Sequence, residues 1–367
     1  MELKITYLSN KNESLSNIMS NKIKEGWTGP GRRDGVINPF KPEHDALHID
    51  LNKKGNFEWW YFDARLEGGY TAVGFFRAAH ERSGKTAVEI AIYKPNGKRL
   101  RKLVFYKRSD MTVSREIPDI QIGHNYLKVD YTNKDLPVYE VYLEEDPLGI
   151  HLKFAATVHG WMPGNGRTEF GDKYFAWCVP FPRAEVDGTI RIDQNTIPVR
   201  GTGYHDHNWG NINMARYLEY WYWGRLYSEN FTLCYAYIKC NKKMDNFPIQ
   251  VLMLARNEKI ILSTGEYDLI QENFAFDKKA ANEYPNKLTF KIPNELETTL
   301  EVQEIIDSGN VLEYFGINRA IVLIVKYLLR LKPGYFRFHS NFDLKASYEG
   351  NSYQEKGTTL HEMVILS

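Results

Sequence analysis

The chain has 367 residues, with 47 lysines and arginines against 46 aspartates and glutamates, and 14% of its side chains are aromatic. That length exceeds one ordinary core, so two domains are expected, each large enough to fold without covalent staples. The charge balance removes any electrostatic argument for nucleic acid or an acidic membrane surface as partner. Cys178, Cys234 and Cys240 share no metal or redox spacing, which fits a reducing compartment. Met1 to Tyr7 turns polar too soon for a secretory signal, so a cytoplasmic location is expected. The longest apolar run, Ala320 to Val325, ends at Lys326 and is too short for a bilayer span of roughly 20 residues. Peripheral lipid contact at that run stays open.

Residues 1–40 are rich in Asn, Lys, Ser, Gly and Pro and read as an arm. A first β domain is expected over 41–210 and a second over 211–367. From Phe57 the chain breaks into short period-two segments divided by turn signals, as in all-β folds. Tyr70 to Phe76 and Ala87 to Tyr93 are predicted strands. Pro95-Asn96-Gly97 then turns a hairpin into Leu103 to Tyr106. The basic run Lys98-Arg99-Leu100-Arg101-Lys102 sits at that hairpin end and reads as a solvated face. His124 to Tyr131, Val138 to Leu143 and Ile150 to Thr157 continue a meander.

The prolines of Tyr174 to Pro182 predict an edge or crossing segment. Arg183 to Ile192 and Thr196 to Asn208 follow as strands. Strand character returns at Leu218 to Tyr227, Phe231 to Lys239, Ile249 to Ala255, Tyr335 to Leu344 and Thr358 to Leu366. Length and the Lys326/Arg330 spacing favour a helix at Asn318 to Leu331, against its β-branched residues.

The densest chemistry lies in Gly201-Thr202-Gly203-Tyr204-His205-Asp206-His207-Asn208-Trp209-Gly210. On a strand, His205, His207 and Trp209 face one way and Tyr204, Asp206 and Asn208 the other. The glycines suit a bend or a close backbone approach. Phe57-Glu58-Trp59-Trp60-Tyr61-Phe62-Asp63 has the same polar-among-aromatic character, and the two stretches are candidates for one pocket, with Glu58, Trp59, Trp60, Asp63, His207 and Asn208 lining it.

Asp206 is the candidate acid, because burial among aromatic rings keeps a carboxyl protonated at neutral pH. The alternative is a carboxylate that rigidifies a turn. Asp63 and Glu58 offer the same choice, with Arg65 or Arg77 as a partner for Asp63. His205-x-His207 has the spacing of a metal pair on a strand, but no third ligand is fixed by spacing and no metal is expected. Trp221 and Trp223 alternate with Tyr222; with Trp59 and Trp60 they enclose an apolar or cationic guest, or simply pack the core. Gly201-x-Gly203 lacks the third glycine and the helix of a dinucleotide site. Neither a nucleophile elbow nor a phosphate loop is present.

Glu58-Trp59-Trp60-Tyr61-Phe62-Asp63, Val179-Pro180-Phe181-Pro182 and Gly201 to Gly210 together resemble the carotenoid hydratase (hydroxyneurosporene synthase) family and its lipocalin-like AttH relatives. Kievitone hydratase and the fungal decalin-forming Diels–Alderases are more distant kin. The resemblance implies two successive lipocalin-like β domains, a hydrophobic pocket near their junction and no required cofactor. It places Tyr204 and Asp206 on the family's Tyr-x-Asp, whose Asp protonates a carbon–carbon double bond, with Tyr204 and His205 steadying that carboxyl and Trp177 lining the pocket. Hydratases also carry a histidine close before that tryptophan; here Phe175 and Ala176 stand there, which favours cyclisation over water addition. The expected partner is an isoprenoid or polyene small molecule. Cycloaddition without proton transfer, or carriage of an unchanged ligand, are the alternatives.

Overall fold

The structure, a computed structural model, describes residues 22–310 and 333–366. Among these, thirteen strands form one antiparallel sheet and nine form another, giving two barrel-like units. The first sheet holds β1 (Ile23–Glu25), β2 (Phe57–Leu66), β3 (Thr71–Ala79), β4 (Thr86–Tyr93), β5 (Arg99–Tyr106) and β6 (Met111–Val113). It continues through β7 (Ile120–Ile122), β8 (Asn125–Asp130), β9 (Val138–Glu145), β10 (Leu148–Ala156), β11 (Arg167–Phe170), β12 (Lys173–Ile192) and β13 (Asn195–Gly210). Its order is β5-β4-β3-β2-β13-β12-β10-β9-β8-β7-β6, with β11 and β1 branching from β12, and it curls into a nearly closed barrel.

The second sheet is a half-barrel of β14 (Leu218–Tyr227), β15 (Phe231–Cys240), β16 (Pro248–Arg256), β17 (Lys259–Thr264) and β18 (Asp268–Asp277), followed by β19 (Asn282–Ile292), β20 (Leu296–Gly309), β21 (Gly334–Tyr348) and β22 (Asn351–Ile365). Its order is β17-β16-β15-β14-β22-β21-β20-β19-β18. The chain crosses between the sheets after Gly210, through one helical turn at Met214–Tyr217.

Period-two sequence explains the cores. Trp60, Phe62, Phe154, Phe181 and Tyr139 point into the first barrel, while Tyr222, Tyr235, Phe290 and Phe336 fill the second. A third apolar cluster joins Trp161, Trp177, Val179 and Tyr204 of the first sheet to Cys234, Met253 and Ala255 of the second. Burying large apolar side chains of this kind stabilises the fold by about 1.5–3 kcal/mol per fully buried side chain. This junction is where the two units become one body.

Three expectations change. The proline-bearing segment is not an edge: it lies within one strand, β12 (Lys173–Ile192), between β13 and β10. Its register with β13 shifts between Cys178 and Phe181 and again between Phe181 and Ala184, so Pro180 and Pro182 fall where the ladder is broken and their missing N–H groups are not required. Residues 22–40 are more than an arm. β1 pairs with β11, Arg32 hydrogen-bonds Glu25 and Gln250, Arg33 pairs with Glu295, and the Asp34 carboxylate accepts from Gly164 N–H and Ser263 Oγ. Strands also occupy 268–309, where none was assigned from sequence. The helix expected at Asn318 to Leu331 lies outside the described residues.

The glycines that bracket the central stretch act by close approach. A Cβ on Gly201 would lie 2.0 Å from the Arg65 carbonyl oxygen, and one on Gly210 would lie 2.4 Å from that of Tyr174. Both neighbours are backbone and cannot move aside alone. Only glycine lets β13 sit this tightly between β2 and β12.

Candidate active site

β13 and β2 are hydrogen-bonded neighbours, so the two dense stretches of sequence come together residue by residue: Tyr204 opposite Asp63, Asp206 opposite Tyr61, Asn208 opposite Trp59, and on the other face His205 opposite Phe62 and His207 opposite Trp60. Facing residues share a side of the sheet. The pair of strands therefore has one face turned into the first barrel and one turned toward the second sheet.

The outer face carries the candidate acid. Asp206 is buried, and its carboxylate accepts hydrogen bonds from Tyr204 Oη at 3.0 Å, from Asn208 Nδ2 at 2.6 Å and from the Trp177 indole. Burial pushes its pKa up to about 7, against the pull of those three donors; the nearby Asp63 carboxylate adds to the rise. Tyr204 stays a phenol, because burial and Asp206 raise it well above its ordinary value. Asp63 accepts from Tyr61 Oη at 2.7 Å and pairs with Arg225 of β14. The expected partners, Arg65 or Arg77, are not used: Arg77 pairs with Glu89 at 3.0 Å and Glu81 at 3.5 Å.

Arg225 reaches across the junction, its guanidinium 4.5 Å from the Tyr204 ring centre and 5.3 Å from that of Trp223. The π faces suited to a cationic guest thus already hold a cation of the protein. Asp63 neutralises it. Arg225 Nε is buried and has no hydrogen-bond partner. Farther along the second sheet, Arg337 lies 3.9 Å from Glu362, which also accepts from Tyr335 Oη. A groove of about 310 Å³ opens beside the junction, between Phe40, Pro42, Tyr131, His159, Pro180 and Ile260, and Ile260 packs on the apolar cluster that includes Tyr204 and Trp177.

The inner face carries a different network. Asp45, in the short 3-10 helix Pro42–Asp45, is fully buried; its Oδ2 lies 3.0 Å from His205 Nε2 and accepts from Tyr139 Oη at 3.0 Å. His205 Nδ1 meets the Tyr61 carbonyl at 2.9 Å. His207 Nε2 lies 2.8 Å from Glu58 Oε1, and the Glu58 carboxylate also accepts the backbone N–H groups of His48 and Ile49. Trp60 stacks on His207 and donates its indole N–H to the Asp45 carbonyl.

The expected site residues therefore divide. Tyr204, Asp206, Asn208, Asp63, Trp177 and Trp223 gather at the junction. Trp59 lies on the same face but packs on Phe57, and Trp221 packs with Tyr335 and Val364. His205 does not steady the Asp206 carboxyl, because strand alternation turns it to the opposite side of β13. Glu58, Trp60 and His207 likewise point into the barrel and cannot line the same pocket as Asp206. Phe175, where hydratases were expected to place a histidine, packs against Phe57. Asp45, Tyr61, Tyr139 and Arg225 were not found from sequence. Asp45 stands 160 residues from His205 with only a proline-led turn to mark it, and Arg225 is one of many strand arginines.

The AttH-like family model matches residues 46–311, and the chain belongs to that family. The hydroxyneurosporene dehydrogenase of Chlorobaculum tepidum is 37% identical over 84 residues, which is 21% of this chain and 22% of that protein. The match thus spans under a quarter of that relative's length. Among solved structures, a protein assigned as AttH from Nitrosomonas europaea superposes with a TM-score of 0.61 at 15% identity, covering 90% of this chain and 97% of its own. Kievitone hydratase from Nectria haematococca gives 0.56 at 13% identity, covering 89% and 98%. CghA gives 0.57 at 10% identity, covering 90% and 94%, and has also been solved with Sch210972. At these identities the likeness is one of fold. No helix among the described residues is long and apolar enough to cross a membrane.

Proposed function

We propose that this chain is a cofactor-independent enzyme of the hydratase and cyclase type, in which Asp206 protonates a carbon–carbon double bond of an apolar isoprenoid or polyene. The observation that carries this reading is a buried carboxyl, poised near neutrality at the seam of two barrels and held in place by Tyr204, Asn208 and Trp177. A carboxyl with that pKa holds a proton at pH 6 and gives it up readily, which is what a general acid requires. Tyr204 and Asn208 fix its direction, and their hydrogen bonds strengthen as the carboxylate forms. The proton moves from the Asp206 carboxyl to the alkene carbon, leaving a carboxylate and a carbocation. Trp177 stabilises the cation through its ring, and the Asp63–Arg225 pair, with Arg225 over Trp223, contributes no net charge. A second alkene or hydroxyl of the same molecule captures the cation, and the new cation or oxonium then loses a proton, which returns to the Asp206 carboxylate directly or through solvent, giving a neutral cyclised product and restoring the acid.

Turnover in deuterated water tests this directly, since product carbon gains one deuterium per event. The acid form of Asp206 is the working form. The rate is therefore expected to level off below about pH 6 and to fall tenfold per pH unit above about 7. A rate flat from pH 6 to 9 would remove Asp206 from the reaction.

One observation favours a second reading. The unpartnered Arg225 Nε beside Tyr204 is a buried donor suited to a substrate carbonyl, as a pericyclase would need to fold a linear polyene into its reactive shape. In that case no deuterium enters carbon, and the activity depends on Arg225 instead of Asp206. Return of the ligand unchanged would mark a carrier.

A further inference from the structure

The inner face of β13 contains an arrangement that the proposed chemistry does not use. Cys178 of β12 and His207 of β13 are cross-strand partners, and Asp45 comes down on them from its helical turn. Asp45 Oδ1, His207 Nδ1 and Cys178 Sγ lie within 4.8 Å of one another, in residues with no exposed surface. Asp45 Oδ1 and His207 Nδ1 are 3.2 Å apart and form an ion pair with each other, and neither makes a well-aligned hydrogen bond to any other group among the described residues. Beyond each other, these two buried atoms have, among the described residues, only the Cys178 sulfur close by.

The remaining atoms of the same groups are tied down. Asp45 Oδ2 is held by His205 and Tyr139, and His207 Nε2 by a Glu58 carboxylate that two backbone N–H groups fix in place. A carboxylate holding the outer nitrogen of an imidazole, with the inner nitrogen turned toward further donor atoms, is the support that metal-bound histidines receive. Two ligands on a tetrahedral ion with bonds of about 2.0 Å stand about 3.3 Å apart, close to the separation of Asp45 Oδ1 and His207 Nδ1. The His44 carbonyl oxygen, which accepts from Cys178 Sγ at 3.2 Å, is a further oxygen donor beside the sulfur.

We infer that Asp45 Oδ1, His207 Nδ1 and Cys178 Sγ hold a structural zinc ion inside the first barrel, on the far side of the strand that carries Asp206. The mixed sulfur, nitrogen and oxygen donor set suits zinc better than magnesium or calcium, which prefer oxygen alone. Binding converts the Cys178 thiol to a thiolate and requires His207 neutral on Nδ1, so both protons leave to solvent. The groups packed around these two are Asp45, Glu58, His205, His48 and Tyr139, and no lysine or arginine among them opposes the ion. The site is sealed by Trp60 and Tyr139, so the ion enters during folding. It is not a reactant; it pins the residue next to Asp206.

The test is elemental analysis of untagged protein made in zinc-supplemented medium, together with the absorption spectrum of protein made with cobalt in place of zinc. One metal per chain and a thiolate-to-cobalt charge-transfer band with tetrahedral d–d bands are expected. The charge-transfer band should vanish in Cys178→Ser and persist in Cys240→Ala, a buried cysteine elsewhere in the fold, with near-ultraviolet circular dichroism confirming that both variants are folded. Should Cys178→Ser fail to fold, loss of the band on going from the wild type to Cys178→Ala replaces it. Protein that carries no stoichiometric metal, or a cobalt spectrum indifferent to the Cys178 substitutions, overturns the proposal and leaves Asp45 and His207 as a plain buried ion pair.

Discussion

Asp206→Asn is expected to lose turnover by about 10²–10⁴-fold while making the protein more stable. The first half follows from removing the carboxyl proton at the junction face of β13, where Tyr204 is far too weak an acid to replace it. The second follows from linkage. Asp206 has a folded pKa of about 7 against an ordinary 3.8, so between those values the folded chain keeps a proton that the unfolded chain has released. Stability therefore falls as pH rises from 4 to 7, and the charged form costs on the order of 2–4 kcal/mol above that. Asparagine accepts from Tyr204 without carrying charge. Urea titrations of both proteins at pH 5 and pH 8 should show the variant gaining at pH 8 and little at pH 5. A stability gain without loss of turnover would place the reaction elsewhere, and a loss of both would make Asp206 a structural carboxylate.

Asp45→Asn should have the largest effect on the fold, a loss of about 3–5 kcal/mol in protein refolded in the presence of chelator, because removing one member of a buried charged network strands the others. Burial acts to raise the Asp45 pKa, but His205 and His207 outweigh it and hold the carboxyl near 2. Burial likewise acts to lower His207, but Asp45 and Glu58 push it up to about 9. The Asp45 contribution is fully present above its unfolded value near 3.8 and is lost as pH falls through 2. The His207 contribution is fully present below its unfolded value near 6.5 and is lost as pH rises through 9. The difference between wild type and variant should thus be greatest between about pH 4 and 6.5 and should shrink on both sides. A difference below about 1 kcal/mol across that window would contradict the network.

How much of this was legible follows from what alternation can and cannot encode. Period two placed His205 and His207 on one side of β13 and Tyr204, Asp206 and Asn208 on the other, and the aromatic density of residues 57–63 marked its neighbour β2. Alternation already set His205 apart from Asp206, and only the family resemblance grouped the two; it does not say which side of β2 faces the barrel, so Glu58 was assigned to the wrong surface. Pairings across long separations leave no local trace. Asp45 meets His205 over 160 residues and Arg225 meets Asp63 over 162. The prolines of β12 misled because a bulge, visible only in the register with β13, makes them harmless. Strands β18 to β20 were missed for a different reason: β18 lies at an edge with Ile270, Phe274 and Phe276 exposed among acidic residues and asparagine, so it lacks the clean apolar face that marks a half-buried strand.

The segment around Asp34 has a mechanical consequence. Its carboxylate clasps Gly164 of one barrel and Ser263 of the other, while Arg32 and Arg33 grip Gln250 and Glu295, so one side of the seam is stitched shut before the first long strand begins. Any parting of the barrels that admits a bulky guest has to swing from that stitched side, opening at the opposite rim. Severing the stitch by cutting the chain ahead of residue 41 should split a single calorimetric melting transition into two.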